Sequence, residues 1–213
     1  GPGSQVVKKS WGDPLHQVWA QDGYVVFTLD NRGTSNKGTK FAGALYHHMG
    51  EVEVEDQVAG AEYLKTLDFI DSGKMAVQGH SYGGYMVLMS MFKASDVFKV
   101  GVAGAPVTDW RLYDTHYTER FLGHTNGDDN AYEKSSVFPY IDGLKGNLLI
   151  LHGLADDNVL FNHTSMLIDE MQQRAVQFDF MAYPGQTHRL GADRMRKRHV
   201  YETQKRYFDD HLK

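Results

Sequence analysis

Cysteine is absent from this chain, which removes disulfides, thiolate nucleophiles and zinc–thiolate centres from consideration. Long apolar runs are missing too. No stretch approaches the roughly 20 consecutive apolar residues that cross a bilayer, so no membrane segment is expected. Charge of one sign is also lacking, with 22 basic residues against 27 acidic ones and a net charge of −5. That balance excludes the electrostatic footprint of a protein built to hold nucleic acid or an anionic membrane surface. The local exception is Arg194, Arg196, Lys197 and Arg198, which fall in a predicted C-terminal helix and read as a solvated face. Repeats, low-complexity tracts and long linkers are likewise missing.

What is present suits one α/β domain. The 213 residues are enough for a sizeable core, and 41% hydrophobic content with 22 glycines and 12 tyrosines argues against disorder. Gly1-Pro2-Gly3-Ser4 reads as the remnant of an expression tag, which leaves residues 5–213 as the domain proper. The natural N-terminus is therefore out of sight. Periplasmic, extracellular and cytoplasmic locations all stay open.

Strands are predicted at Tyr24–Leu29, Met75–Gln78, Val100–Ala103, Asn147–His152 and Gln177–Tyr183, each rich in β-branched or aromatic residues and bounded by turn formers. Helices are predicted at Pro14–Gln21, Val54–Leu67, Gly84–Lys93, Phe161–Gln173 and Met195–His211. Nearly continuous apolar strands that alternate with helices imply a mostly parallel sheet with helices on both faces. In such sheets ligand chemistry gathers at the C-terminal ends of the strands.

The most informative stretch is Gly79-His80-Ser81-Tyr82-Gly83-Gly84, between a predicted strand and a predicted helix. A Gly-x-Ser-x-Gly in that context is the nucleophile elbow of α/β-hydrolases. The serine takes a strained backbone conformation that lifts its hydroxyl clear, and the glycines let strand and helix approach. A serine hydroxyl is a poor nucleophile at neutral pH and needs an imidazole to take its proton. His188, in the loop Gly185-Gln186-Thr187-His188, follows a later strand and can serve. A buried carboxylate must then orient the ring. His152-Gly153-Leu154-Ala155-Asp156-Asp157-Asn158 supplies it, with Asp156 and Asp157 both open on the residues alone. The order Ser81, Asp156, His188 is that of α/β-hydrolases, and the backbone N–H of Tyr82 is an expected oxyanion donor.

Other features have plainer readings. His80 adjoins Ser81, but neighbouring side chains at an elbow point apart, so it is not the expected base. His152 ends a buried strand and reads as structural. His47, His48, Glu51 and Glu53 lack the His-Glu-x-x-His spacing of a zinc site, and no metal or other cofactor is expected. Gly33–Lys40 has the lysine and hydroxyl residue of a phosphate loop in the wrong order and reads as an ordinary loop after Asp30.

Several longer motifs carry a family resemblance. They are Asp30-Asn31-Arg32-Gly33, Glu53-Val54-Glu55-Asp56-Gln57, the Ser81 elbow, Ala105-Pro106-Val107, Tyr117-Thr118-Glu119-Arg120 and His152–Val159. From about Trp11 to its end the chain resembles the catalytic domain of the prolyl oligopeptidase family, in its dipeptidyl-peptidase-IV branch. The resemblance implies an α/β-hydrolase fold and a serine peptidase that releases N-terminal dipeptides or tripeptides after proline or alanine. It selects Asp156 as the acid and matches His188 to the base. It also implies that Tyr82, Val107, Trp110, Tyr113, Tyr117 and Val159 enclose the ring of a P1 proline, with Asn158 holding the substrate carbonyl. An aromatic box suits a compact apolar ring that lacks an N–H. Relatives commonly carry tryptophan at the position of His80, a change expected to affect packing and not chemistry.

Family members of this branch also carry a β-propeller, first strands and an upstream tyrosine that gives the second oxyanion donor, none of which this chain matches. Loss of one such donor costs on the order of 10²–10³ in turnover, so the chain is expected to be weakly active or inactive alone. An absent strand between Tyr24–Leu29 and Met75–Gln78 implies either direct pairing of those two strands or completion of the sheet by another copy. A homo-oligomer, in one form strand-exchanged, is therefore expected. Two other functions remain in play: an esterase or acyl-peptide hydrolase using the same residues, and a catalytically silent interaction domain.

Overall fold

The computed structural model describes residues 2–125 and 129–213. Its frame is a four-stranded, wholly parallel sheet in the order β1-β2-β3-β4, made by Ala76–His80, Val100–Gly104, Asn147–Gly153 and Asp179–Tyr183. Around it lie helices α1 (Pro14–Gln21), α2 (Thr39–Ala42), α3 (Val52–Lys65), α4 (Tyr82–Lys93), α5 (Thr115–Leu122), α6 (Asp129–Ser135), α7 (Asn162–Gln173) and α8 (Arg194–Leu212). The helix starts follow local chemistry. Asp13 caps α1 with Pro14 as its first residue, and Asp114 and Asp193 accept backbone N–H groups at the starts of α5 and α8.

Period-two alternation distributes the core over both faces. Val100, Val102, Leu149 and Leu151 pack with Trp19 of α1 and with Tyr207, Phe208 and Leu212 of α8. Ala103, Leu148 and Ile150 turn the other way, toward α4 and α7 residues such as Leu88, Met91, Leu167 and Met171. Helix α4 is buried along most of its length because it packs between β1 and β2 on one side and α3 on the other. This is the fold class that the strand and helix alternation implied. The basic residues at 194–198 lie on the exposed face of α8, where Arg196 pairs with Asp193 and Arg198 with Glu202. Among the described residues no helix is long and apolar enough to cross a membrane.

Residues 24–29 depart from expectation. They carry no strand pairing, and the expected direct pairing with β1 does not form. Val25 is 54% exposed and Phe27 44% exposed. β-branched and aromatic residues favour an extended backbone, but a strand also needs a partner for its ladder. Phe27 and Leu29 lie against Gly60 of α3 instead, and Gln57 donates to the Leu29 carbonyl at 3.5 Å and to Asn31 Oδ1 at 3.0 Å. Just beyond it, Arg32 donates from its backbone N–H and from Nε to the Asp56 carboxylate, at 2.7 and 2.9 Å.

Candidate active site

Between β1 and α4 the chain turns at Ser81 with φ 60° and ψ −119°, in the region that non-glycine residues avoid. Two flanking glycines permit the turn. A Cβ on Gly79 would sit 2.4 Å from the Gly83 carbonyl oxygen, and one on Gly84 would sit 2.5 Å from that of Gly104. Backbone meets backbone at both places, so neither contact can relax by a rotamer change. The Ser81 amide is itself fixed by the Gly104 carbonyl at 2.8 Å, which ties the elbow to the end of β2.

The loops after β3 and β4 are stitched together by backbone bonds from Leu154 N to Tyr183 O and from Ala155 N to Gln186 O, both 3.1 Å. This brings His188 and Asp156 to the elbow. His188 Nε2 lies 2.8 Å from Ser81 Oγ, and Nδ1 lies 2.8 Å from Asp156 Oδ2. The other carboxylate oxygen accepts the amides of Asn158 and Val159, each at 3.0 Å. Asp156 is buried, while Asp157 is exposed and bonded to neither ring. The Tyr82 amide is the first of α4, so it has no carbonyl partner within the helix and sits beside the serine.

His80 does not stand apart from the group. Its ring centroid is 4.8 Å from that of His188, and desolvation, then the adjacent imidazole, push its pKa down. A neutral second imidazole beside the first adds no competing charge near neutral pH.

Next to the elbow lies an aromatic wall. Trp110 is buried and stacks on Tyr117 at 5.8 Å, meets Tyr113 edge-on at 5.9 Å and faces Tyr82 at 5.5 Å. Tyr113 and Tyr117 are themselves in edge contact at 5.6 Å. The Tyr113 hydroxyl donates to Asn158 Oδ1 at 2.9 Å, which joins this wall to the Asp156 loop. Val107 and Val159 are both buried.

Two contributors were not legible beforehand. Tyr85, one turn along α4 from Tyr82, closes the back of the wall against Trp110 at 5.1 Å. Glu53 of α3 is wholly buried and accepts from the Tyr82 hydroxyl and from the Gly50 amide. Burial pushes the Glu53 pKa up, and burial followed by the Glu53 charge pushes Tyr82 up. Three glutamates alternate through Glu51-Val52-Glu53-Val54-Glu55, so nothing local marks the one that turns inward. His48 and Glu51 form a pair at 2.8 Å, but among the described residues no group of three or more ligand side chains could hold a metal.

A parallel sheet with a strained serine between strand and helix, faced by histidine and acid from later strand ends, is the architecture of an α/β-hydrolase. Comparison with known proteins narrows this. The model of the prolyl oligopeptidase family matches residues 13–213, and the chain belongs to that family. Dipeptidyl peptidase 8 of Mus musculus is 43% identical over 172 residues, covering 79% of this chain and 19% of that protein. Inactive dipeptidyl peptidase 10 of the same organism is 36% identical over 218 residues, covering all of this chain and 27% of that protein. The crystal structure of Porphyromonas gingivalis dipeptidyl peptidase 4 superposes with a TM-score of 0.95 at 35% identity, over 100% of this chain and 30% of that one. The chain thus spans 19% to 30% of the length of these relatives.

Proposed function

We propose that this chain carries the peptidase centre of a serine exopeptidase that removes dipeptides or tripeptides from N-termini after proline or alanine. The observation that carries the reading is the continuous run of contacts from Ser81 Oγ through His188 to Asp156, 2.8 Å at each step, beside an aromatic wall. His188 takes the Ser81 proton as Oγ attacks the scissile carbonyl. The tetrahedral oxyanion is met by the Tyr82 amide. His188 then protonates the departing amine, leaving an acyl-enzyme, and activates the water that hydrolyses it. Asp156 keeps the imidazole in the required tautomer and stabilises its charged form. The P1 ring sits among Tyr82, Val107, Trp110, Tyr113, Tyr117 and Val159, with Asn158 toward the substrate carbonyl.

Hydrolysis of dipeptidyl p-nitroanilides ending in proline, with Ser81→Ala as control, tests the reading on the full-length protein. Equal turnover by the variant overturns it. An esterase or acyl-peptide hydrolase with the same residues would instead prefer aryl esters or alanine once leaving groups are matched. A silent domain is the second reading, favoured by the relative whose name calls it inactive. It requires that a fluorophosphonate probe leave Ser81 unlabelled.

The same proposal includes self-association. The unpaired segment at 24–29 and the outer edge of β1 offer backbone groups to a second copy, including a strand-exchanged one. Light scattering that shows only monomers would remove this part.

A further inference from the structure

The mechanism above leaves one buried imidazole at its centre unused. His152, near the end of β3, is wholly buried, as is the Asp156 side chain. Both of its ring nitrogens are occupied. Nδ1 lies 2.6 Å from the Thr164 hydroxyl on α7. Nε2 lies 2.9 Å from the Val159 carbonyl oxygen and 3.2 Å from Asp156 Oδ2. A carbonyl and a carboxylate can only accept, so Nε2 carries the proton. The Thr164 hydroxyl, which can donate or accept, then donates to Nδ1. Burial holds the ring below its ordinary pKa, so the neutral form in this single tautomer is the resting state.

Asp156 Oδ2 is also the oxygen that faces His188 Nδ1 at 2.8 Å. N–H groups of His188, His152, Asn158 and Val159 therefore surround one carboxylate. We propose that His152 is a positioning residue for the Asp156–His188 couple, with Thr164 setting its tautomer. The Nε2–H dipole holds Oδ2 toward His188, and its bond to Val159 ties the acid loop to the pocket wall. Remove that dipole, and the carboxylate charge is less stabilised and draws more strongly on the His188 proton. The imidazolium then persists to higher pH, and the general base appears later.

Other groups around the couple do not compete. From the end of β1, His80 stands beside His188, and from α7, His163 is buried beneath the site with its pKa pushed down to about 4 by burial. Phe161 covers His152 edge-on at 5.6 Å.

The inference rests on the proposed roles of Ser81, Asp156 and His188, so two readouts are needed. One is the ¹H NMR titration of the His188 ring. The other is the rate of Ser81 labelling by diisopropyl fluorophosphate against pH, with Ser81→Ala as blank. Glutamine places an amide nitrogen where His152 has Nε2; asparagine places it where the ring has Nδ1. His152→Asn should raise the His188 midpoint by about one pH unit and slow labelling below it on the order of tenfold. His152→Gln should stay within about threefold of wild type. Thr164→Val should move the midpoint in the same direction by a smaller step, and Thr164→Ser should restore it. The proposal is overturned if the midpoint stays or falls in His152→Asn, or if the Gln and Asn variants lose equally. Should His152→Asn fail to fold, an unmoved midpoint in Thr164→Val overturns it. If wild-type Ser81 is not labelled, the nucleophile reading fails and the NMR titration still decides this one.

Discussion

Residues 24–29 and 147–152 are both short apolar runs bounded by turn formers, and both read as strands in the sequence. Their fates differ. The second is β3, paired on both sides with β2 and β4 and buried along nearly all its length. The first pairs with no strand, and its valines and phenylalanine are half-exposed. The contrast extends to their surroundings. Around β3 the glycines, loops and polar groups fit so closely that single backbone contacts decide what fits. Near the N-terminus even Trp11 is 92% exposed. Side-chain type sets a preference for extended backbone, while tertiary partners decide whether that preference becomes a strand.

The sharpest way to probe the tight region is Gly84→Ala. The added carbon would meet the Gly104 carbonyl, so the variant should lose about 3 kcal/mol or more, read as a Tm fall of roughly 6–12 °C. A Tm within 2 °C of wild type (about 0.5–1 kcal/mol) would show that the elbow yields to the added carbon.

A second test uses acid. His163 is buried with its pKa lowered to about 4, so between pH 6.5 and that value the unfolded chain binds a proton that the folded chain does not. Stability should therefore fall as pH drops through this window, by roughly 2–3 kcal/mol from this residue. His163→Asn, which keeps an acceptor near the Thr108 amide, should flatten that slope in denaturant titrations at pH 7 and pH 4.5. An unchanged slope would place the acid sensitivity elsewhere.

Glu53 has the opposite sign. Its folded pKa is raised, so the folded state holds its proton to higher pH than the unfolded chain, and stability falls as pH rises above the ordinary carboxylate range. Glu53→Gln should remove this decline in melts run from pH 5 to pH 8. A decline of the same size in the variant would show that Glu53 is ionised at little cost.

The smallest effect belongs to the loose region. Val25→Thr should change stability by no more than about 0.5 kcal/mol, because the side chain is half-exposed and the backbone unpaired. A larger loss, especially one that depends on protein concentration, would show that a second copy covers this segment in solution.

How much of this could be read beforehand follows from locality. The elbow was legible because Gly79, Ser81 and Gly84 serve a turn only a few residues long. The loops bearing Asp156 and His188 were legible because each directly follows an apolar strand. Short helices such as α5 carried a readable cap in Asp114, yet eight residues are too short a window for their period to separate a helix from a loop. Glu53 was hidden among three similar glutamates, and only the position of α3 against α4 turns it toward Tyr82. His80 was expected to point away from the serine group, yet its ring lies against His188 because β1 ends beside the β4 loop.

By itself the sequence determined the chemistry available to this protein: a strained serine, an acid and a histidine at successive strand ends, and no thiol. It did so because turn geometry and strand-end placement are local consequences of residue type. Only the tertiary structure decided which glutamate is buried, which nitrogen of His152 holds its proton, and which apolar run becomes a strand. Each of those depends on a partner supplied from a distant part of the chain.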